Sequence, residues 1–316
     1  MKPHFEQIKS ATDNIIRYRE KEVSISERMS ANIDELALFV ATNAAKDVRS
    51  KGFFTDDISL EAYMPPMIPL HEQLFGVLAE NHALASAKLS ASDSAYIADF
   101  CVSLTSKLKQ TAKLKTTPAL FTEGGISRNH GGKVAFAENR FFLSAFAVFS
   151  KKVQGLTSSY VRSFTDACND VSAGVCDYCI LPIENSREGT LVTVYSMIER
   201  HDLFIFRVCE IESEEITTKF ALLCRRMHGI IDSQNRQRAE IRIMVRDSSL
   251  WSRIYTGAEV IGAVLEKTVA VPLVYTDGYA HICTFSGNND ALFAFLLFLS
   301  AIRVDYTLIG LYEESV

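Results

Sequence analysis

The chain has 316 residues, 48% of them hydrophobic and 22% charged, with a formal net charge of -5 and a pI near 5.9. This is the composition of a globular protein long enough for roughly two or three domains. The acidic balance, with Lys and Arg scattered rather than clustered, gives no electrostatic surface for nucleic acid.

Met1-Lys2-Pro3-His4-Phe5-Glu6 has no apolar core of the kind a secretory signal needs, so a cytoplasmic location is expected. The longest strongly apolar run, 291–302, is too short to span a bilayer and reads as a buried helix, so no membrane partner is expected. The seven cysteines are odd in number and irregularly spaced, which suits reduced thiols.

Residues 5–115 are rich in Ala, Leu, Glu, Lys and Ser, with apolar residues three and four apart, as in Ile33, Leu36, Leu38, Phe39 and Val40. That spacing predicts a helical region of several segments. Pro65-Pro66-Met67-Ile68-Pro69 divides it, and Thr116-Thr117-Pro118 ends it. The Gly-rich stretch from Glu123 to Gly132 reads as a linker.

Beyond the linker, strands are expected at 133–137, 158–164, 177–182 and 203–210, with helices at 141–152, 165–173 and 190–200. Such alternation implies crossover units and a sheet with parallel character. The last third reads as a strand at 240–245, a helix at 250–266 and a strand at 269–275. A turn at Asp277-Gly278 leads to a strand at 279–285, a helix at 290–302 and a strand at 306–312. Strand, helix, strand, strand, helix, strand is the split order of a ferredoxin-like unit.

Cys176-Asp177-Tyr178-Cys179 has the spacing of a metal or redox pair, but within a strand residues three apart face opposite ways. No second pair or His cluster completes it, and small buried residues are the simpler reading. His201 and His281 stand alone and read as packing or surface residues rather than bases. No metal or cofactor motif is found.

The most specific word is Ile180-Leu181-Pro182-Ile183-Glu184-Asn185-Ser186-Arg187-Glu188-Gly189, an apolar strand opening into a carboxylate, an amide, a hydroxyl and a glycine. Polar groups at the rim of a sheet are where α/β proteins bind small ligands. The same residues would also suit a cap on the helix expected from about residue 190.

This word, with Val134-Ala135-Phe136, Thr217-Thr218-Lys219-Phe220 and the closing Leu308-Ile309-Gly310-Leu311-Tyr312, resembles the prephenate dehydratase family in order and type. The resemblance implies α/β and α+β architecture in four parts. These are a helical region (1–120), a linker (121–132), a truncated periplasmic-binding-like α/β lobe (133–232), and a ferredoxin-like βαββαβ ACT-type regulatory or dimerisation domain (238–316). It also implies a homodimer, a small-molecule carboxylate ligand and no cofactor.

Family members dehydrate and decarboxylate prephenate to phenylpyruvate, a step toward phenylalanine. That chemistry needs donors for two carboxylates and an acid for the departing hydroxyl. The resemblance assigns the acid to Thr218, which matches the family's Thr-Arg-Phe word, and substrate contacts to Lys219 and Phe220 of the same word. It adds Glu184, Asn185, Ser186 and Gly189 from the first word, and Arg140 and Ser144 after the first strand.

Four departures stand against an unchanged enzyme. Lys219 replaces an Arg, keeping the charge but losing the planar two-pronged grip. The family's first glycine-rich loop, where backbone N–H groups approach an anion, is replaced by Glu138-Asn139-Arg140-Phe141-Phe142. A Glu138 carboxylate about 4 Å from a substrate carboxylate would cost about 1 kcal/mol in water and about 4 at an effective dielectric near 20, unless Arg140 compensates.

The interval from Glu184 to Thr218 holds one helix and one strand where the family has a whole second lobe. Thr217-Thr218-Lys219-Phe220 is then either the return strand left by that deletion or an unrelated strand, with Thr218 an ordinary strand residue. Asp247-Ser248-Ser249-Leu250-Trp251 and Tyr275-Thr276-Asp277-Gly278 replace the turns of phenylalanine-binding ACT domains. Three functions remain open: a dehydratase with a rebuilt site, a non-catalytic ligand-sensing or assembly protein on the same fold, and an unrelated α/β protein sharing one motif.

Overall fold

The computed structural model describes scattered residues between 17 and 42, and residues 91–112, 131–213, 215–225, 236–245, 248–272, 279–302 and 304–315. The expected breaks at 65–69 and 116–118, the linker up to residue 130 and the turn at 277–278 lie outside these residues.

The described residues between 17 and 42 are helical, and helix α1 spans Ala91–Ala112. Strand β1 (Lys133–Ala137), helix α2 (Arg140–Lys152), strand β2 (Thr157–Val161), helix α3 (Phe164–Ser172) and strand β3 (Tyr178–Asn185) follow. Then come β4 (Gly189–Thr190), α4 (Val192–Arg200), β5 (Phe204–Glu212) and β6 (Thr217–Cys224). Strand order β2-β1-β3-β6-β5 places β1, β2 and β3 parallel, while β6 runs antiparallel to both β3 and β5. Thr217–Cys224 is therefore the returning strand at the centre of the lobe, and only β4, α4 and β5 stand between it and β3.

The last part runs β7 (Gln237–Val245), α5 (Ser249–Ile261), β8 (Val264–Pro272), β9 (Tyr279–Gly287), α6 (Asn289–Ala301), β10 (Asp305–Tyr312) and β11 (Glu314–Ser315). Its antiparallel order β10-β7-β9-β8 is that of a split βαββαβ unit. The two strand sets are not separate sheets. Gly310 of β10 pairs with Ile205 of β5, and β11 extends the pairing, so 11 strands form one sheet.

Several elements differ from the sequence reading: the strand expected at 158–164 ends at Val161, because Ser163 caps α3 from Phe164 on, and the strand expected at 269–275 begins at Val264. The helix expected at 250–266 stops at Ile261, because Gly262 takes the left-handed conformation (φ 83°) and its N–H closes on Ala258 O and Glu259 O. The strand expected to end at Pro182 continues to Asn185, since a register shift between Pro182 and Glu184 accommodates the proline. Residues 189 and 190 form β4 against β3, so the next helix begins at Val192 rather than at 190.

Three clusters make up the core. The first joins α1, α5 and α6 to one face of β7 and β9, with Phe293, Phe295 and Phe298 fully buried. Burying each such side chain contributes about 1.5–3 kcal/mol. Lys109 on α1 reaches Asp290 at the start of α6 at 2.7 Å. The second cluster places α3 and α4 under β3, β5 and β6 and also under Ile282, Ile309 and Tyr312 of the other strand set. The third puts α2 on the opposite face of the lobe, through Phe142, Ala145 and Phe149.

Candidate functional site

The carboxyl end of β3 is organised by its own polar residues. Asn185 Oδ1 accepts from the N–H groups of Arg187 (3.0 Å) and Glu188 (2.7 Å), which folds the chain back. Gly189, at φ 72°, brings β4 into register, so that Asn185 faces Gly189 and Glu184 faces Thr190. The Asn therefore caps a hairpin turn and not a helix, and Leu191, at the N-cap of α4, makes no side-chain cap.

Ser186 ties this turn to β6. Its N–H donates to Thr217 O at 2.9 Å and its Oγ accepts from Thr217 N–H at 3.1 Å. Thr218, partly buried, stands opposite Asn185 on one side and Ile211 on the other. Lys219 Nζ lies 3.7 Å from Glu210 Oε2. Phe220 is buried with its ring edge-on to Phe142, centroids 5.0 Å apart.

Glu184 turns to the other face and meets the last strand set, with Oε2 2.6 Å from Lys267 Nζ. Beside it lies Glu240, 3% exposed, which accepts from Tyr195 OH (2.9 Å), Tyr312 OH (2.8 Å) and Thr284 Oγ1 (3.1 Å). Burial pushes the Glu240 carboxyl above its ordinary range, and the three hydroxyl donors and the Lys267 charge pull it back. Burial also pushes both tyrosines upward, so each remains an O–H donor.

The loop after β1 has its own closure. Asn139 Oδ1 accepts from Phe141 N–H (3.0 Å) and Phe142 N–H (3.2 Å), so the amino end of α2 is satisfied by its own side chain. These N–H groups are not left open to an anion as in a glycine-rich cradle. Glu138 is exposed, and Phe142 fills the lobe core. The Arg140 guanidinium stands 4.8 Å from the Phe141 ring, and Ser144 Oγ donates to Arg140 O at 2.9 Å.

Between α2, the Asn185 turn and the β5–β6 connection lies a cavity of about 640 Å³. Two of the expected residues, Arg140 and Ser144, line it, together with Arg187 from the Asn185 turn. Its other wall was not anticipated: Ile211, Glu212, Ser213, Glu215 and Ile216. The Ser-Glu-Glu run between two strands was the signal available in the sequence. Glu184, Asn185, Ser186, Gly189, Thr218, Lys219 and Phe220 do not line the cavity; they build the frame beside it. Arg187 is already paired with Glu215 at 3.0 Å.

The cysteines are all free and buried, and Cys179 has Cys168 of α3 as its hydrogen-bond partner. Among the described residues no group of His, Cys, Asp and Glu has the geometry to hold a metal. His281 lies edge-on to Trp251, and its pKa is lowered by burial, while His201 caps the carboxyl end of α4. His281 thus packs against a ring, and His201 sits at a helix end beside Ser172. No described helix is long and apolar enough to cross a membrane.

Residues 131–232 match the family model described as prephenate dehydratase. No curated protein matches the chain. Among solved structures, a prephenate dehydratase from Streptococcus mutans superposes with a TM-score of 0.51 at 18% identity, over 58% of this chain and 99% of that one. GqqA, described as a novel type of quorum quenching acylase, gives 0.45 at 14%, over 59% and 95%. A prephenate dehydratase from Arthrobacter aurescens in complex with L-Phe gives 0.45 at 12%, over 58% and 90%. The matched segment contains β1 to β6 with the Glu184-Asn185-Ser186 and Thr217-Thr218-Lys219-Phe220 words side by side in adjacent strands. Residues 131–232 are thus a domain of the prephenate dehydratase family.

Proposed function

We propose that this prephenate dehydratase-like protein binds a small carboxylate in the cavity between α2 and the β5–β6 connection, and that dehydration of prephenate is not its retained activity. The observation that carries this reading is the cavity itself, with the Arg140 and Arg187 guanidinium groups on its wall and Phe141, Ile211 and Ile216 as apolar lining. Guanidinium groups suit a carboxylate, and a volume of about 640 Å³ suits a small ligand.

The chemistry of dehydration has less support. Thr218, the acid assigned by resemblance, is not on the cavity wall. Asn185 and Ser186 are engaged by backbone N–H groups, and Glu184 is engaged by Lys267. One observation favours a second reading, a dehydratase with Thr218 as acid: Thr218 lies directly opposite Asn185 and two residues from Ile216 of the wall.

Phenylpyruvate formation from prephenate separates the two, measured on the purified chain and on Thr218→Ala. No turnover above background, with 3-phenylpropanoate binding that weakens in Arg140→Gln, is the expected result. Turnover abolished in Thr218→Ala would overturn the binding-only reading. Residues 238–316 are read as an ACT-type dimerisation unit, to be checked by light scattering of the full chain; a monomer at working concentration would refute that part.

A further inference from the structure

The charge pattern of the cavity narrows its ligand. Among the described residues its wall carries Arg140 and Arg187 against Glu212 and Glu215, a formally neutral set. Arg187 and Glu215 already neutralise each other at 3.0 Å. Arg140, on α2, and Glu212, at the end of β5, make no ion pair among the described residues, and the nearest partner found for Arg140 is the Phe141 ring. A cation and an anion thus face one space from different elements, with Phe141, Ile211 and Ile216 between the polar groups.

We propose that this cavity takes a zwitterion, an α-amino acid with an apolar side chain, its carboxylate on Arg140 and its ammonium on Glu212. The inference rests on the reading that the cavity is a ligand site, and it goes beyond it by excluding a dicarboxylate as the preferred ligand. A dianion brings two negative charges to a wall whose described residues hold one cation and one anion outside any ion pair. An amino acid matches both of these groups and leaves its side chain to the apolar lining. The Ser144 and Ser213 side chains add short polar groups at the same wall.

The test is calorimetric titration of the full chain with three probes of one shape: L-phenylalanine, 3-phenylpropanoate and 2-phenylethylamine. L-Phenylalanine is expected to bind roughly two- to fivefold more tightly than either analogue, the scale of one exposed ion pair. Glu212→Gln should erase its advantage over 3-phenylpropanoate, and Arg140→Gln its advantage over 2-phenylethylamine. If 3-phenylpropanoate binds as tightly as L-phenylalanine and depends on Arg140, the zwitterion is overturned while the carboxylate reading survives. If none of the probes binds the folded chain, both fall. If L-phenylalanine binds equally to wild type and both variants, its site is elsewhere and this proposal is overturned.

Discussion

Glu184 Oε2 lies 2.6 Å from Lys267 Nζ, although β3 and β8 are far apart in the strand order β3-β6-β5-β10-β7-β9-β8. The sheet brings them together by curling around α4. The buried Val194, Tyr195 and Ile198 of that helix share one hydrophobic cluster with Ile183 and Ile205 of the lobe and Ile282, Ile309 and Tyr312 of the last strand set. Accumulated strand twist permits such wrapping, and a shared helix face rewards it.

Both members of this ion pair are about one-third exposed, so its coupling is expected at about 0.5–1 kcal/mol and should weaken with salt. A double-mutant cycle of Glu184→Ala and Lys267→Ala by denaturant unfolding measures it. Coupling indistinguishable from zero at low salt would remove this contact from the account of how the two strand sets are held.

The Glu240 cluster is the larger interaction. Glu240→Ala leaves Tyr195, Tyr312 and Thr284 hydroxyls without their acceptor in a buried site, at an expected cost of about 2–4 kcal/mol. Unfolding free energies would show it. A loss below about 1 kcal/mol would mean that water replaces the carboxylate.

The same group predicts a pH dependence. Its folded pKa is raised above the ordinary 4.5, so over that interval the folded state keeps a proton that the unfolded state releases. The stability from this group is full below about pH 4.5 and declines as pH rises through the raised value. Glu240→Gln cannot ionise. Wild type minus Glu240→Gln should therefore become less favourable as pH rises above about 4.5, and a constant difference would contradict the shift.

Gly310 is where the two strand sets join. A Cβ there would sit 2.6 Å from Ile205 Cβ and 2.7 Å from Ile205 O, so Gly310→Ala must separate β10 from β5. A loss of about 2 kcal/mol or more is expected, in the range of overpacked sites. Thermal and denaturant unfolding check it, and a neutral variant would show that the junction has slack.

Asn139→Ala removes the acceptor for two N–H groups at the start of α2 and should cost about 1 kcal/mol. Asn139→Asp should retain that stability, because a carboxylate accepts the same bonds and suits the positive helix end. Equal losses in both variants would refute capping as the reason.

Local features were legible because they depend on neighbours in the chain. Strand patterning located β1, β3 and β5 to within a few residues, and the apolar run 291–302 identified the buried α6. The turn chemistry was legible only in type. Asn185 suited either a ligand contact or a helix cap, and its service to a hairpin turn depended on Gly189 and on pairing with β4. The helix run into 266 was overestimated because Gly262 stops it by a backbone conformation that the apolar pattern does not encode.

By itself the sequence determined the likeness of residues 131–232 to the prephenate dehydratase family, most of the strand and helix order and the lack of glycines in the loop after β1, since these follow from residue type and local spacing. Tertiary structure alone decided which groups meet. The joining of two strand sets through Gly310, the Glu184–Lys267 pair, the hydroxyl cage around Glu240 and the cavity wall from 211 to 216 all require distant segments to pack. Those contacts form where the curled sheet and α4 exclude water, and no local pattern along the chain carries that information.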